Sequence, residues 1–307
     1  IMLFKGILLA TFAAGIFAVP TPALDDVSKF FVSMSDSRVV GGDVAPEGSA
    51  PWMVSLTSGA FIRSAFCGAS LISERDILTA AHCIDNVYSP WTGLSSSLRA
   101  VVGTNRWSTG GTQYTIKSNA THPHYVKAII KNDIGVLTTV NKVVLTPKVQ
   151  PVSLSYEFVG AEIPVRITGW GTIRYLGPAS AVLLELYTKT LDGATCNKDV
   201  QAKATELGSW APEIEDHIEL CTYHSNGHGN CHGDSGGPLV RTDTNEQVGF
   251  VSWGFPCAVG APDMFARVSG FKSFIEESMA SAETNTRIHN TKMLVVNVYD
   301  RVSTDII

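Results

Sequence analysis

Three short strings carry the residue types needed for nucleophilic chemistry at a carbonyl: Leu-Thr-Ala-Ala-His-Cys at 78–83, Asn-Asp-Ile-Gly-Val-Leu at 132–137, and Cys-His-Gly-Asp-Ser-Gly-Gly-Pro at 231–238. A serine hydroxyl is a weak nucleophile until an imidazole takes its proton, and the imidazole needs a carboxylate to fix its tautomer and stabilise its cation. Ser235, His82 and Asp133 supply these groups. Gly233 and Gly236 let the backbone turn tightly beside the serine, so that the amides of Gly233 and Ser235 can converge on the oxyanion of a tetrahedral intermediate. Any one of these residues alone is an ordinary surface or capping residue.

Such groups need a frame that folds distant parts of the chain into one cleft. The middle of the sequence consists of short apolar runs broken by turn residues, as at 52–56, 67–72, 163–167 and 248–253. Many short strands with one long helix predict an all-β sandwich or barrel. That helix is expected at 269–279, where Phe271, Phe274, Ile275, Ser278 and Met279 recur at mostly helical spacing. Two prolines, Pro147 and Pro151, mark a linker at 146–151.

The chain has 307 residues, with 23 Lys and Arg against 28 Asp and Glu, net −5. Lacking a long basic run, it offers no footprint for a nucleic-acid backbone. Its longest apolar stretch, 6–18, is shorter than the roughly 20 residues a membrane helix needs. Preceded by Lys5 and followed by small residues, it reads as a signal peptide spanning 1–18, which predicts a secreted, extracellular protein. An oxidising compartment makes the six cysteines candidates for disulfides, with connectivity open. Residues 283–307 read as a disordered or weakly attached tail.

At the three strings the chain resembles the chymotrypsin/trypsin-like serine protease family, from Val39 to about Ala282. The resemblance implies two antiparallel β-barrels, about 39–150 and 151–268, with the active site in the cleft between them and a C-terminal helix closing a domain at 39–282. It implies that Ser235 attacks the scissile carbonyl, His82 acts as general base and then acid, and Asp133 orients His82. Ser252, in Ser252-Trp253-Gly254, would add a hydrogen bond to Asp133. The resemblance pairs Cys67 with Cys83, Cys196 with Cys221 and Cys231 with Cys257, as in an invertebrate-type member. The first of these bridges is worth about 3 kcal/mol on a chain-entropy model. Gly135 stands where the family usually has alanine, which should loosen the strand slightly.

Asp36-Ser37-Arg38 followed by Val39-Val40-Gly41-Gly42 resembles the family's activation junction. Residues 19–38 then form an activation propeptide, and cleavage after Arg38 by a trypsin-like protease frees an ammonium on Val39 to insert beside Asp234. The specificity pocket is expected at Gly229, Ser252, Gly254 and Asp263. Gly229 occupies the floor position where trypsin-like members carry aspartate, while Asp263 resembles the wall carboxylate of arthropod serine collagenases. Chymotrypsin-like or mixed P1 specificity follows, with protein or peptide substrates and protein protease inhibitors as partners.

His224, His228 and His232 at i, i+4 and i+8 would suit zinc on a helix, but Gly227, Gly229 and Gly233 argue against that helix. Calcium lacks carboxylates, since 86–132 contains no Asp or Glu. No metal or cofactor is expected. Asn119-Ala120-Thr121 is a glycosylation sequon. The rival readings are a catalytically inactive protease-like binding protein, and a zymogen of an immune or clotting cascade; the short segment before Val39 favours a digestive or broad secreted enzyme.

Overall fold

The computed structural model describes residues 40–59, 62–173 and 177–282. The expected signal, propeptide and tail, with Arg38 and Val39, lie outside these residues. The strands are β1 (Asp43–Val44), β2 (Met53–Ser58), β3 (Ser64–Leu71), β4 (Asp76–Thr79), β5 (Tyr88–Ser89), β6 (Gly93–Leu94), β7 (Arg99–Val102) and β8 (Thr112–Thr121). They continue with β9 (Gly135–Thr139), β10 (Ser153–Leu154), β11 (Pro164–Gly169), β12 (Leu184–Leu191), β13 (Glu219–Tyr223), β14 (Pro238–Arg241), β15 (Glu246–Gly254) and β16 (Asp263–Arg267). The helices are α1 (Ala81–Asp85), α2 (Gly193–Glu206) and α3 (272–282).

Strands β2, β3, β4, β9, β8 and β7 close an antiparallel barrel. A second ring runs β12, β11, β14, β15, β16, β13 and returns to β12 through Lys189↔Tyr223 and Leu191↔Cys221. The period of two explains why these segments are strands: along β12, Leu186 and Thr188 point inward while Tyr187 and Lys189 face solvent. Val54, Leu56, Leu71, Ile77, Leu78 and Leu137 fill the first barrel. Val165, Ile167, Leu184, Leu239 and Phe265 fill the second. Each such side chain contributes about 1.5–3 kcal/mol on burial.

The first and last described elements cross between the barrels. Strand β1 pairs with β12 of the second barrel, Val44 opposite Leu184. At the other end a 3₁₀ turn (Val268–Phe271) leads into α3, so the helix starts later than 269. Phe271 and Phe274 set their rings against His122, just after β8, at 5.4 and 5.1 Å.

The expectation of a single long helix is corrected by α2. Asp192 caps it, accepting from the Thr195 amide at 2.8 Å, but its buried residues are only Cys196, Val200 and Ala204. This narrow small-residue face gives little periodic signal. The three disulfides join Cys67 to Cys83, Cys196 to Cys221 and Cys231 to Cys257. Among the described residues no helix is long and apolar enough to cross a membrane. Asn119 sits half-buried in β8.

Candidate active site

His82 lies in α1, immediately after β4, where buried Ala81, Cys83 and Ile84 hold the helix against the first barrel. The bridge from Cys83 to Cys67 ties it to β3. Asp133, on the loop between β8 and β9, is 2 % exposed. Its Oδ1 accepts the His82 backbone amide at 2.9 Å and its Oδ2 accepts His82 Nδ1 at 2.8 Å. An ionised carboxylate only accepts, so Nδ1 carries a proton and a neutral ring keeps its lone pair on Nε2. Ser252 Oγ donates to the same Oδ2 at 2.6 Å. Burial alone would lower the His82 pKa, yet the charge of Asp133 and its hydrogen bond outweigh it and hold the imidazole above its ordinary value.

Ser235 is held from both barrels. Its carbonyl accepts the Gly68 amide of β3 at 2.8 Å, and the next amide, of Gly236, donates to Val251 of β15 at 2.7 Å. Gly236 has φ 77°, and a Cβ there would lie 2.5 Å from the Gly68 carbonyl, so the turn requires glycine. Gly233 has φ 95°. His82, Gly233, Ser235, Ser252, Trp253, Gly254 and Asp263 all line one cleft of about 260 Å³. A serine, an imidazole with a free ring nitrogen and a glycine-rich turn facing one cleft can perform acyl transfer.

Asp234, fully buried, turns away from the cleft. It accepts amides from Gly171 at 2.8 Å and Cys231 at 3.0 Å, and burial pushes its pKa up to about 6. Val40 docks nearby: it is 2 % exposed and exchanges backbone hydrogen bonds with Gly229 at 2.9 and 3.1 Å.

Within the cleft, Asp263 of β16 stands opposite Gly254 of β15. A Cβ at Gly254 would approach nothing closer than 3.7 Å. Asp263 accepts the Asn230 amide at 3.0 Å, and burial pushes its pKa up to about 7 against that hydrogen bond, with the charge of Asp234 adding to the rise. Gly229 packs against the Asp263 carboxylate. Asn230 escaped the sequence reading although it adjoins Gly229 and Cys231. Its buried side-chain amide lines the cleft, with neither polar atom partnered among the described residues.

The helix that zinc would need at 224–232 is absent: the segment is built of turns and short bridges. His224 and His228 stack at 4.6 Å and share Ser225 Oγ through their Nδ1 atoms, at 2.8 and 2.9 Å. Among the described residues the one group with metal-ligand spacing is Cys67, His82 and Cys83, whose thiols are consumed in a disulfide.

The family model described as Trypsin matches residues 39–275. Chymotrypsin-2 of Vespa crabro is 34% identical over 242 residues, covering 78% of this chain and 99% of its own length. Trypsin 5G1 of Aedes aegypti is 30% identical, covering 88% and 96%. The proclotting enzyme of Tachypleus tridentatus is 32% identical over 79% of this chain, which spans 66% of that protein. With a family match over most of its length and relatives aligned nearly end to end, the chain belongs to the trypsin family of serine endopeptidases.

Proposed function

We propose that the protein is secreted as a precursor and, once cleaved after Arg38, hydrolyses peptide bonds through an acyl-enzyme on Ser235. His82 takes the serine proton through Nε2 and returns it to the leaving amine. Asp133 holds the tautomer, and the amides of Gly233 and Ser235 receive the oxyanion. The observation that carries this reading is the carboxylate of Asp133 accepting both His82 Nδ1 and Ser252 Oγ behind a cleft lined by Ser235. Labelling of Ser235 by a fluorophosphonate, lost on His82→Ala, tests it; labelling that survives that substitution sinks it.

Activation follows from Asp234, a buried carboxylate whose described partners are two amides and whose pKa is raised. An ammonium on Val39 would neutralise it and fix the adjacent oxyanion turn. The docked Val40 supports this, since it is the second residue of the new terminus and itself exchanges backbone hydrogen bonds with Gly229 of the pocket segment. Cleavage at 38/39 divides a propeptide, 19–38, from a protease domain, 39–282.

The P1 preference is mixed. A roomy entrance at Gly254 admits aromatic and Leu side chains, and Asp263 receives Arg or Lys from the wall. A second reading, a cascade protease of narrow specificity, draws on the proclotting enzyme of Tachypleus tridentatus. A peptide-library cleavage profile separates them: broad cleavage after aromatic, Leu and basic residues supports the first, one tight sequence the second.

A further inference from the structure

We propose that Lys131 and Glu219 are positioning residues for the catalytic site, a buried ion pair that clamps the Asp133 loop to the Trp253 wall of the cleft. This rests on the reading of His82, Asp133 and Ser235 as the catalytic unit. Lys131 lies two residues before Asp133, and Glu219 lies in β13 of the other barrel. Their side chains are 5 % and 6 % exposed and form an ion pair. Lys131 also donates to the Glu213 carbonyl at 2.5 Å.

Glu219 is fully engaged. Its Oε1 accepts Trp253 Nε1 at 2.8 Å, its Oε2 accepts the Glu215 amide at 2.7 Å as well as Lys131, and its carbonyl accepts Arg267 Nε at 3.0 Å. Trp253 follows Ser252, which donates to Asp133. The links therefore form a closed circuit: Asp133, Lys131, Glu219, Trp253, Ser252 and back to Asp133. One side sets the carboxylate that orients His82, and the other sets an indole that lines the substrate cleft.

The loop needs such a clamp. Ile130 and Asn132, flanking Lys131, have φ of 48° and 52°; asparagine adopts this region readily, but the β-branched Ile130 does so only under external constraint. A buried pair is a weak source of net stability, because desolvation offsets attraction, but its geometry is specific. Fixing the loop is what this pair accomplishes.

Breaking it should loosen Asp133 from His82, and because Asp133 is what raises the His82 pKa, the acid limb of kcat/KM should move to lower pH. The charged groups acting on His82 are Asp133 and Asp85, neither of which is altered. Wild type, Glu219→Gln, Lys131→Met and the double variant are compared after activation, with working sites counted by a fluorophosphonate. Each single variant should lose about tenfold or more in kcat/KM per labelled site, the scale of a slightly misplaced catalytic group. KM should rise and the acid limb shift down. The double variant, leaving neither charge unpaired, should refold more stably yet keep the displaced limb. Should the single variants fail to fold, Trp253→Phe, which removes only the indole N–H, must show the same shift. Labelled variants with wild-type kinetics and an unmoved limb overturn this proposal alone; a wild type unlabelled at Ser235 overturns the parent reading and this one with it.

Discussion

The carboxylate of Asp263 occupies the space above Gly229, so that a Cβ at residue 229 would lie 2.6 Å from Asp263 Oδ2. One acid thus excludes a second at the pocket floor. Gly229→Asp should not yield a trypsin-like enzyme, because two carboxylates in one small site repel. Asp263→Gly should lower the kcat/KM ratio of Arg to Phe substrates about tenfold or more, on the scale of losing a charge-assisted hydrogen bond; an unchanged ratio would show that Asp263 does not read charge.

The pKa of Asp263, near 7, also predicts a pH-dependent specificity. The carboxyl is neutral at pH 5 and ionised at pH 9, so the Arg-to-Phe ratio should climb across neutrality in wild type and stay flat in Asp263→Asn. The stability sign is opposite. A carboxyl whose folded pKa lies above its unfolded 3.8 stabilises the fold fully below about 4, and that contribution is lost as pH rises through about 7. Melting temperatures of Asp263→Asn should therefore gain on wild type with rising pH.

Ser252 neutralises part of the charge on Asp133. Removing its hydroxyl concentrates that charge on the imidazolium, so Ser252→Ala should move the acid limb of kcat/KM to higher pH, opposite to the shift expected for Glu219→Gln. Ser235→Ala should lower kcat by about 10⁴–10⁶ while a substrate-like inhibitor still binds. Retention of more than about a tenth of the wild-type rate would refute the assignment of the nucleophile.

Arg38→Gln should leave the precursor inert to trypsin treatment. In the cleaved wild type, activity should decline at strongly alkaline pH as the Val39 amine, its pKa raised above the reference 7.7–8.0 by pairing, loses its proton. Equal activity of Arg38→Gln and wild type after trypsin treatment would exclude this junction.

Gly135 makes room for Ile84. A Cβ on Gly135 would run into Ile84 Cδ1 and lie 3.0 Å from the Ala120 carbonyl, so this glycine fits a larger neighbour rather than merely loosening β9. Gly135→Ala should cost about 1–3 kcal/mol of stability by overpacking, and Ile84→Val should recover part of it. Urea unfolding of the two single variants and the double measures the coupling; additive losses would refute the contact.

The sequence is legible where chemistry demands contiguous residues. The turn around Ser235, the apolar runs that become β2, β3, β11 and β15, and the helix bearing Phe274 and Ile275 can all be read along the chain. What escapes depends on contacts between distant residues. Lys131 and Glu219 are 88 positions apart and each sits outside a motif. Strand β1 is two residues long, too short for periodicity to assign it to the far barrel. Helix α2 hides its buried face in a cysteine, a valine and an alanine. The space at Gly135 is visible only once Ile84 is in place.

The crossing of β1 and α3 between the barrels has a topological meaning. With β1 sewn into the second barrel and α3 seated on the first, each half holds a piece of the other, like two hands gripping opposite wrists. The exposed segment 144–148, which overlaps the linker between the barrels, is then dispensable as a covalent tie. A single cut there should leave a heterodimer of fragments that stays together on gel filtration and retains catalysis, whereas a fragment expressed alone should leave β1 or α3 without the barrel it packs on and fail to fold.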